Sequence, residues 1–210
     1  MMEPYYTTEL GTLYHGDCLE VMPELDHVDL VLTDPPYGIN HSTHGQIFKT
    51  SEPIANDNDL WAYDFLASLN KPLCVFFSPY NPPSIKWRSV LAWNKGPQVG
   101  GGGDIATCWK RDIEMVGVIN NPPLFGKRDS ASLYYNALVK KPSGHFCEKP
   151  ISLMLYLVGK LPGGITVDPF IGSGTTAIAC EKQNRKWIGI EISEEYCKIA
   201  KERLAQQTLL

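Results

Sequence analysis

Two polar turn motifs, each placed directly after a short apolar run, constrain the fold of this chain more than any other feature. The run Val28–Leu32 precedes Asp34-Pro35-Pro36-Tyr37, and the run Ile165–Val167 precedes the segment Asp168 to Thr176. Such runs, bounded by turn residues, are typical of strands buried on both faces of a parallel sheet. Ligands of open α/β sheets bind outside the carboxyl ends of such strands. The sequence therefore predicts two binding segments that meet in one crevice.

Other apolar runs predict the rest of the sheet. Leu73–Phe77 and Trp187–Ile190 have the composition of buried strands, and Leu13–His15 is a weaker candidate. Val90–Trp93 and Ile113–Ile119 lie in a proline-rich and glycine-rich region, and they predict an antiparallel hairpin at the sheet edge.

Helical patterns lie between and after these strands. Apolar residues at helical spacing predict helices over 59–69 and 175–183. Ser193 is a good N-cap for a last helix, since two glutamates follow it and basic residues come later. Strands that alternate with helices predict a doubly wound, mostly parallel α/β sheet.

The length and composition fit one domain with a modest negative charge. At 210 residues and 43% hydrophobic content, the chain can bury a core and hold a cleft, so 1–210 is predicted to be a single domain. The formal net charge of −4 argues against a protein that holds nucleic acid by bulk electrostatics. Any contact with a polyanion is therefore expected to be local.

We expect a cytoplasmic protein with neither a membrane span nor a metal. The start of the chain shows no secretory signal, and the apolar stretch Ile151–Leu161 is far shorter than the ~20 residues that span a bilayer. The six cysteines form no CxxC pair, which is typical of neither a disulfide framework nor a zinc ribbon. His41 and His44 have the spacing of a metal pair, but no third ligand lies nearby.

The second motif has the features of a cradle for a nucleoside. Gly172 and Gly174 permit a tight turn and a close approach of a ligand to the backbone. Glu191 follows about twenty residues later, where an acidic side chain accepts hydrogen bonds from ribose hydroxyls in nucleotide-binding folds. Ala177 replaces the third glycine of the dinucleotide fingerprint, and the charge of Asp168 favours a cationic ligand. A sulfonium nucleoside therefore fits better than a dinucleotide.

The first motif has the features of a site for an aromatic amine. Pro35 and Pro36 remove two amide donors, which leaves the carbonyl of Pro35 as an acceptor beside the carboxylate of Asp34. Tyr37 adds a ring on which a planar heterocycle can stack. Together these groups match the exocyclic NH₂ of a nucleobase.

With both motifs in this order, the chain resembles the β-group of S-adenosylmethionine-dependent DNA amino-methyltransferases, in which DPPY precedes FxGxG. The likeness also includes Gly16-Asp17-Cys18 and the stretch from His145 to Pro150. Phe146 and Cys147 depart from the proline and threonine that the family often has after this histidine. The resemblance implies a Rossmann-like methyltransferase fold and S-adenosylmethionine as cofactor.

The resemblance also implies a role for each motif residue. Asp34, Pro35, Pro36 and Tyr37 would hold the target base. Asp17 would accept a hydrogen bond from the cofactor adenine, Glu191 would bind its ribose, and Lys149 would approach its methionine end. The remaining cofactor residues would be Asp168, Phe170, Gly172, Ser173, Gly174 and Thr175.

The implied reaction is methyl transfer to N6 of an adenine in double-stranded DNA. Because that amine is buried in the duplex, the base has to be flipped into the pocket. An aspartate at the first position of DPPY is usual among adenine enzymes, whereas serine is usual among N4-cytosine enzymes. N4-cytosine transfer, transfer to an RNA or protein amine, a non-catalytic nucleotide-binding module and a dinucleotide oxidoreductase stay open as alternatives.

Recognition of a DNA sequence would have to come from a small part of the chain. Residues 97–144 are predicted to form a loop-rich insertion that reads the target, since base readout needs side chains delivered into a groove. Because this segment is short, a homodimer or a recognition partner is a further hypothesis.

Overall fold

The computed structural model describes residues 2–38, 57–96, 112–119, 129–136 and 148–207. Their strands form one nine-stranded sheet. The strands are β1 (Tyr6–Thr7), β2 (Gly11–His15), β3 (Leu30–Thr33), β4 (Leu73–Phe77), β5 (Ser89–Asn94), β6 (Ile113–Ile119), β7 (Ser132–Tyr134), β8 (Thr166–Asp168) and β9 (Trp187–Glu191). The helices are α1 (Cys18–Val21), α2 (Trp61–Ser68), α3 (Ile151–Lys160), α4 (Thr175–Lys182) and α5 (Glu194–Gln207), with a 3-10 turn at Met22–Glu24.

The strand order β1-β2-β9-β8-β3-β4-β6-β5-β7 places the five central parallel strands side by side. β2, β9, β8, β3 and β4 all pair in parallel with their neighbours. β6 runs antiparallel to both β4 and β5. The predicted doubly wound sheet with an antiparallel hairpin is confirmed, and β7 pairs with β5 on the outer side of that hairpin.

Helices cover both faces of the sheet, and the strand residues alternate between two cores. Leu30 and Leu32 of β3 pack in one apolar cluster with residues of α3, α4 and α5. Val31, which lies between them, packs in a second cluster with residues of α1 and α2. Strands that are buried on both faces have this near-continuous apolar character.

The chain leaves β3 and β8 in opposite directions. The connection from β3 passes through α2 to β4, on one side, whereas the connection from β8 passes through α4 to β9, on the other. β3 and β8 are themselves parallel neighbours, with Val31 opposite Val167. This is the reversal of strand order at which open α/β sheets form a ligand crevice. The two sequence motifs begin at its two sides.

Local N-terminal residues explain where three of the helices begin. Asp17 accepts a hydrogen bond from the backbone N–H of Leu19 at 2.9 Å and caps α1. The hydroxyl of Ser193 accepts from the N–H of Tyr196 at 3.4 Å, as its predicted N-cap role requires. Gly174, at φ +85°, sits at the N-cap of α4 in the left-handed region that favours glycine.

Candidate active site

The Asp34–Tyr37 turn is fixed from two sides. The phenol of Tyr37 donates to Oδ1 of Asp34 at 2.7 Å, within the turn itself. From the loop after β4, Nδ2 of Asn81 donates to the carbonyls of Tyr37 at 2.9 Å and Gly38 at 3.2 Å. The N–H of Gly38 donates to Oδ1 of Asp57 at 2.7 Å. The backbone of the turn is thus held by side chains that are distant in sequence.

A buried ionic network lies behind this turn. Nζ of Lys149 contacts Oδ2 of Asp34 and lies 3.2 Å from Oε2 of Glu114, a residue of β6. Nζ of Lys95 lies 3.1 Å from Oε1 of Glu114, and the phenol of Tyr37 donates to Oε2 of Glu114 at 3.1 Å. Only 8% of the Lys149 side chain and 16% of the Glu114 side chain are exposed. Two acids, two ammonium groups and one phenol therefore share one site.

Burial and charge act on the acids of this network in opposite directions. Burial raises the pKa of Asp34, while the ammonium of Lys149 works against that shift. Burial also works to raise the pKa of Glu114, but the charges of Lys149 and Lys95 outweigh it and hold this pKa at about 2. Burial and the nearby carboxylates raise the pKa of Tyr37 well above its usual value, so its phenol stays protonated.

The second motif, Asp168 to Thr176, is called the glycine turn below. Its first residue, Asp168, forms a hydrogen bond to the neighbouring strand β3. Oδ1 of Asp168 accepts from the hydroxyl of Thr33 at 2.5 Å and from the N–H of Phe170 at 3.1 Å, while Oδ2 accepts from the hydroxyl of Thr176 at 2.6 Å. Burial raises the pKa of Asp168 to about 6, although these hydrogen bonds work to lower it. Because Thr33 directly precedes Asp34, one hydrogen bond links the two motifs.

Glu191, at the end of β9, closes the other side of the glycine turn. Its Oε2 accepts from the N–H of Gly172 and its Oε1 from the N–H of Ser193, both at 2.9 Å. Burial raises the pKa of Glu191, and the backbone hydrogen bonds work in the opposite direction. The carboxylate is thus placed by main-chain groups on two segments that flank the crevice.

One cavity is lined by residues of both motifs. Trp61 of α2 contacts Phe170 edge to face there, with the ring centroids 5.9 Å apart. A neighbouring depression shares Asp17 and Trp61 with this cavity, and extends to Leu19 and Asn58. The cavity is lined by Gly16, Asp17, Cys18, Pro36, Trp61, Pro169, Phe170, Glu191 and Ile192.

The lining of this cavity fits a cationic nucleoside. Trp61, Phe170 and Ile192 supply apolar surface for a purine. Asp17 and Glu191 supply carboxylate oxygens that can accept from an amine or from ribose hydroxyls. Both carboxylates also favour a positive ligand charge, so these acceptors and apolar groups fit the predicted S-adenosylmethionine.

The structure gathers the sequence-predicted residues at one edge of the sheet. Asp17, Pro36, Phe170 and Glu191 line the shared cavity. Ser173 and Thr175 contact Arg203 of α5, from behind the glycine turn. Gly172 and Gly174 have φ values of +51° and +85°. The predicted cofactor contacts of these residues stay predictions.

Lys149 lies beside the first motif, against Asp34 and Glu114. Its ammonium is 5.6 Å from the ring centroid of Tyr37 and 5.1 Å from that of Phe76. Its predicted approach to the methionine end of the cofactor stays a prediction.

Several residues of the site were not predicted from the sequence. Thr33, the last residue of β3, had a local signal, because it is the polar end of an apolar strand next to the motif. Glu114 and Trp61 lie on predicted elements but show their role only through contacts between distant segments. Lys95, Asn81, Glu148 and Arg203 also show their role only through such contacts, whereas Thr176 lies within the second motif itself.

The described residues form neither a metal cluster nor a membrane-spanning helix. Within 2–38, 57–96, 112–119, 129–136 and 148–207, no group of three or more His, Cys, Asp or Glu side chains could hold a metal ion. No helix in this part of the chain has the length and apolar character to cross a membrane. His41 and His44 lie outside the described residues.

The predicted recognition insertion falls largely outside the described residues. Within 97–144, residues 112–119 and 129–136 are described, and they contribute β6 and β7 to the main sheet. Whether the rest of 97–144 reads DNA stays a prediction.

Comparison with known families identifies one match over half of the chain. A family model described as DNA methylase, for N6 and N4 methyltransferases, matches residues 93–202. This range includes β6 with Glu114, the segment with Lys149, the glycine turn and Glu191.

Three curated relatives are 24% to 30% identical to this chain over their aligned residues. The type II methyltransferase M.SmaI of Serratia marcescens is 29% identical over 156 residues, which are 73% of this chain and 50% of M.SmaI. The chain thus spans about half of the length of M.SmaI. YubD of Escherichia coli K12 is 30% identical, over 93% of this chain and 91% of YubD. The DNA adenine methyltransferase YhdJ of the same organism is 24% identical, over 95% of this chain and 84% of YhdJ.

Solved structures share the fold over nearly the whole chain. The complex of M1.HpyAVI with SAM has a TM-score of 0.65 and 26% identity, and the match covers 92% of this chain and all of that chain. The cytosine-N4-specific PvuII DNA methyltransferase has a TM-score of 0.71 and 19% identity, with 98% and 93% covered. The PvuII likeness supports the fold alone.

Proposed function

Because the chain belongs to the N6/N4 DNA methylase family, we propose that it transfers a methyl group from S-adenosylmethionine to N6 of an adenine in DNA. The observation that carries this proposal is the junction of the two motifs. Thr33 donates to Asp168 across neighbouring strands, and Pro36 and Phe170 line the same cavity. A donor and an acceptor of one methyl group have to meet in such a crevice.

The cofactor side would be formed by the glycine turn and its neighbours. Glu191 would accept from the ribose hydroxyls, Asp17 from the adenine amine, and Phe170 would contact the nucleoside. When bound, S-adenosylmethionine supplies a methyl group that its sulfonium sulfur already activates.

The target side would be formed by the first motif. The lone pair of an aromatic exocyclic amine is delocalised into the ring, so the amine is a weak nucleophile. Hydrogen bonds from the amine to Asp34 and to the carbonyl of Pro35 would localise that pair on nitrogen. The ammonium of Lys149 favours the ionised, acceptor form of Asp34, and so works against burial, which raises the pKa of this carboxyl. Catalysis would then rest on orientation and on stabilisation of the charge that develops on nitrogen.

Tyr37 has two roles in this proposal. Its phenol holds the carboxylate of Asp34 in place at 2.7 Å. Its ring provides a face on which a flipped base could stack, which is worth roughly 1–3 kcal/mol per base. The ring would replace the stacking that the base loses on leaving the duplex.

Two observations favour adenine over cytosine. Asp34 at the first position of DPPY is the residue usual among the adenine enzymes that this chain resembles. YhdJ, which is named a DNA adenine methyltransferase, aligns with 95% of the chain. N4-cytosine transfer is the second candidate, since the family model that matches the chain includes N4 methyltransferases. Double-stranded DNA as substrate, a homodimer or recognition partner, and a cytoplasmic location are further parts of this proposal.

Mass spectrometry of modified nucleosides tests the proposed function. Purified protein is incubated with methyl-deuterated S-adenosylmethionine and, separately, with duplex DNA, single-stranded DNA, RNA and a protein mixture. We expect labelled N6-methyladenine from duplex DNA, and no label in the same reaction with the Asp34→Ala variant. Labelled N4-methylcytosine would overturn the choice of base. Label in RNA or protein alone would overturn the DNA assignment.

A further inference from the structure

Arg203 reaches from α5 to the back of the glycine turn. Its Nη1 donates to the carbonyl of Ser173 at 2.6 Å, to the hydroxyl of Ser173 at 2.8 Å and to the hydroxyl of Thr175 at 3.4 Å. Its Nη2 donates to Oε1 of Glu148 at 2.5 Å. The guanidinium thus bonds to the glycine turn through Nη1 and to the carboxylate of Glu148 through Nη2.

The ion pair between Arg203 and Glu148 is largely buried. Only 3% of the Glu148 side chain and 17% of the Arg203 side chain are exposed. Burial lowers the pKa of Arg203, and the carboxylate of Glu148 opposes this effect. A buried guanidinium that is hydrogen-bonded on two edges has one preferred orientation, because a planar fork loses contacts when it rotates.

The glycine turn needs such an external support. Ser173 stands between Gly172 and Gly174, both at positive φ, and glycine permits many other backbone conformations. Glu191 fixes the front of the turn through the N–H of Gly172. Arg203 fixes its back through two oxygens of Ser173. The turn is therefore held between Glu191 and Arg203.

We infer that Arg203, oriented by Glu148, is a positioning residue that sets the affinity of the glycine turn for the cofactor. The inference rests on the proposed function, because it assigns the turn to S-adenosylmethionine. Arg203 acts through Ser173 from behind, and lies outside the residues that line the cavity. Lys149, the neighbour of Glu148, stays paired with Asp34 on the target side.

Binding of S-adenosylhomocysteine, measured by calorimetry without any methyl transfer, tests this inference. Arg203→Met removes the donors but keeps much of the volume, and we expect it to weaken binding at least tenfold. Arg203→Lys should give an intermediate loss, since one ammonium cannot replace the fork. Single-turnover methyl transfer at saturating cofactor should stay within about threefold of the unmodified protein. The defect should therefore appear in the KM for cofactor and not in the rate at saturation.

Glu148 provides a second arm of the test. If Glu148 acts by orienting Arg203, the losses of affinity in Glu148→Ala and Arg203→Met should be far from additive in the double variant. Additive losses would contradict the role of Glu148.

Lys198 provides a matched control on the same helix. It forms an exposed pair with Glu194 at 3.1 Å, and 59% of its side chain is exposed. Lys198→Ala should leave the affinity unchanged. A folded Arg203→Met variant that binds within twofold of the unmodified protein would overturn the inference. If Arg203→Met does not fold, unchanged affinity in Arg203→Lys overturns it instead. Absence of binding by the unmodified protein would contradict the proposed function itself.

Discussion

The two turns that face the crevice hold their carboxylates in different ways. On the glycine side, Asp168 and Glu191 accept hydrogen bonds from hydroxyl and backbone N–H groups, which are neutral donors. On the other side, Asp34 and Glu114 are paired with Lys149, whose ammonium is shared between them. The first arrangement leaves negative charge in place, while the second neutralises it.

This difference matches the charges of the two proposed ligands. The cofactor is a cation at its sulfur, and the carboxylates of Asp168 and Glu191, which accept hydrogen bonds from neutral donors, would favour it. The target base is neutral, and Asp34 has to be an acceptor without a large net charge around it. Tyr37 donates to Oδ1 of Asp34 and Lys149 contacts Oδ2, and because a carboxylate oxygen can accept more than one hydrogen bond, a new donor could still bond to Asp34. The charges of the two sides therefore agree with the proposed placement of the two ligands.

The largest expected effect is on methyl transfer by the Asp34→Ala variant. We expect the single-turnover rate to fall by about 10³-fold or more, because the acceptor that stabilises charge on nitrogen is lost. Affinity for S-adenosylhomocysteine should change less than threefold, since that ligand binds to the glycine side. A variant with full activity would remove Asp34 from the mechanism. A variant that loses cofactor affinity would break the division between the two sides.

The next effect concerns the stability of the Glu114→Gln variant. The pKa of Glu114 is held at about 2, below its usual value, so the native state favours the carboxylate. The stability that this gives is present above the unfolded pKa of about 4.5, and is lost as the pH falls toward 2. We expect the variant to lose about 3–5 kcal/mol at pH 7, the range for a broken buried pair. Urea unfolding should show that this difference in the free energy of unfolding between the variant and the unmodified protein shrinks below pH 4. A difference in unfolding free energy that does not change with pH would contradict the ionic network.

Asp168→Asn should show a pH dependence of the opposite sign. The pKa of Asp168 is raised to about 6, so the native state favours the protonated acid, and the unmodified protein loses stability as the pH rises from about 4 through 6. The variant has no such titration. Its stability relative to the unmodified protein should therefore improve over that pH range, by about 3 kcal/mol at most. Urea unfolding at a series of pH values measures this change. A relative stability that falls over the same range would show that a cation is paired with Asp168.

Much of the sheet and both motifs were predictable because their signals are local. Val28–Leu32 and Leu73–Phe77 are apolar runs bounded by polar residues, and they became β3 and β4 within two residues. α3 was not predicted, because Ile151–Lys160 is apolar almost throughout and few polar residues mark its exposed face. β7 has three residues, too few for an alternation to be visible.

The contacts that complete the site were not predictable from local pattern. Thr33 and Asp168 are 135 residues apart, and Tyr37 and Glu114 are 77 residues apart. Their meeting depends on strand order, which places β8 beside β3 and β6 beside β4. Arg203 has the pattern of an ordinary basic residue near the end of a helix, and only its contact with Ser173 distinguishes it. The residue types of the two motifs predicted the chemistry of the site, whereas the strand order determines which distant residues contact them.

A crystal structure with S-adenosylhomocysteine and an unmethylated DNA duplex that contains the target sequence would test the central claim most directly. We predict the nucleoside of the cofactor against Phe170 and Glu191, and the exocyclic amine of a flipped adenine within hydrogen-bond distance of Asp34. The amine should face the cofactor sulfur across the β3–β8 junction. A base held elsewhere, with Asp34 still bound to Lys149 and facing no ligand, would contradict the account.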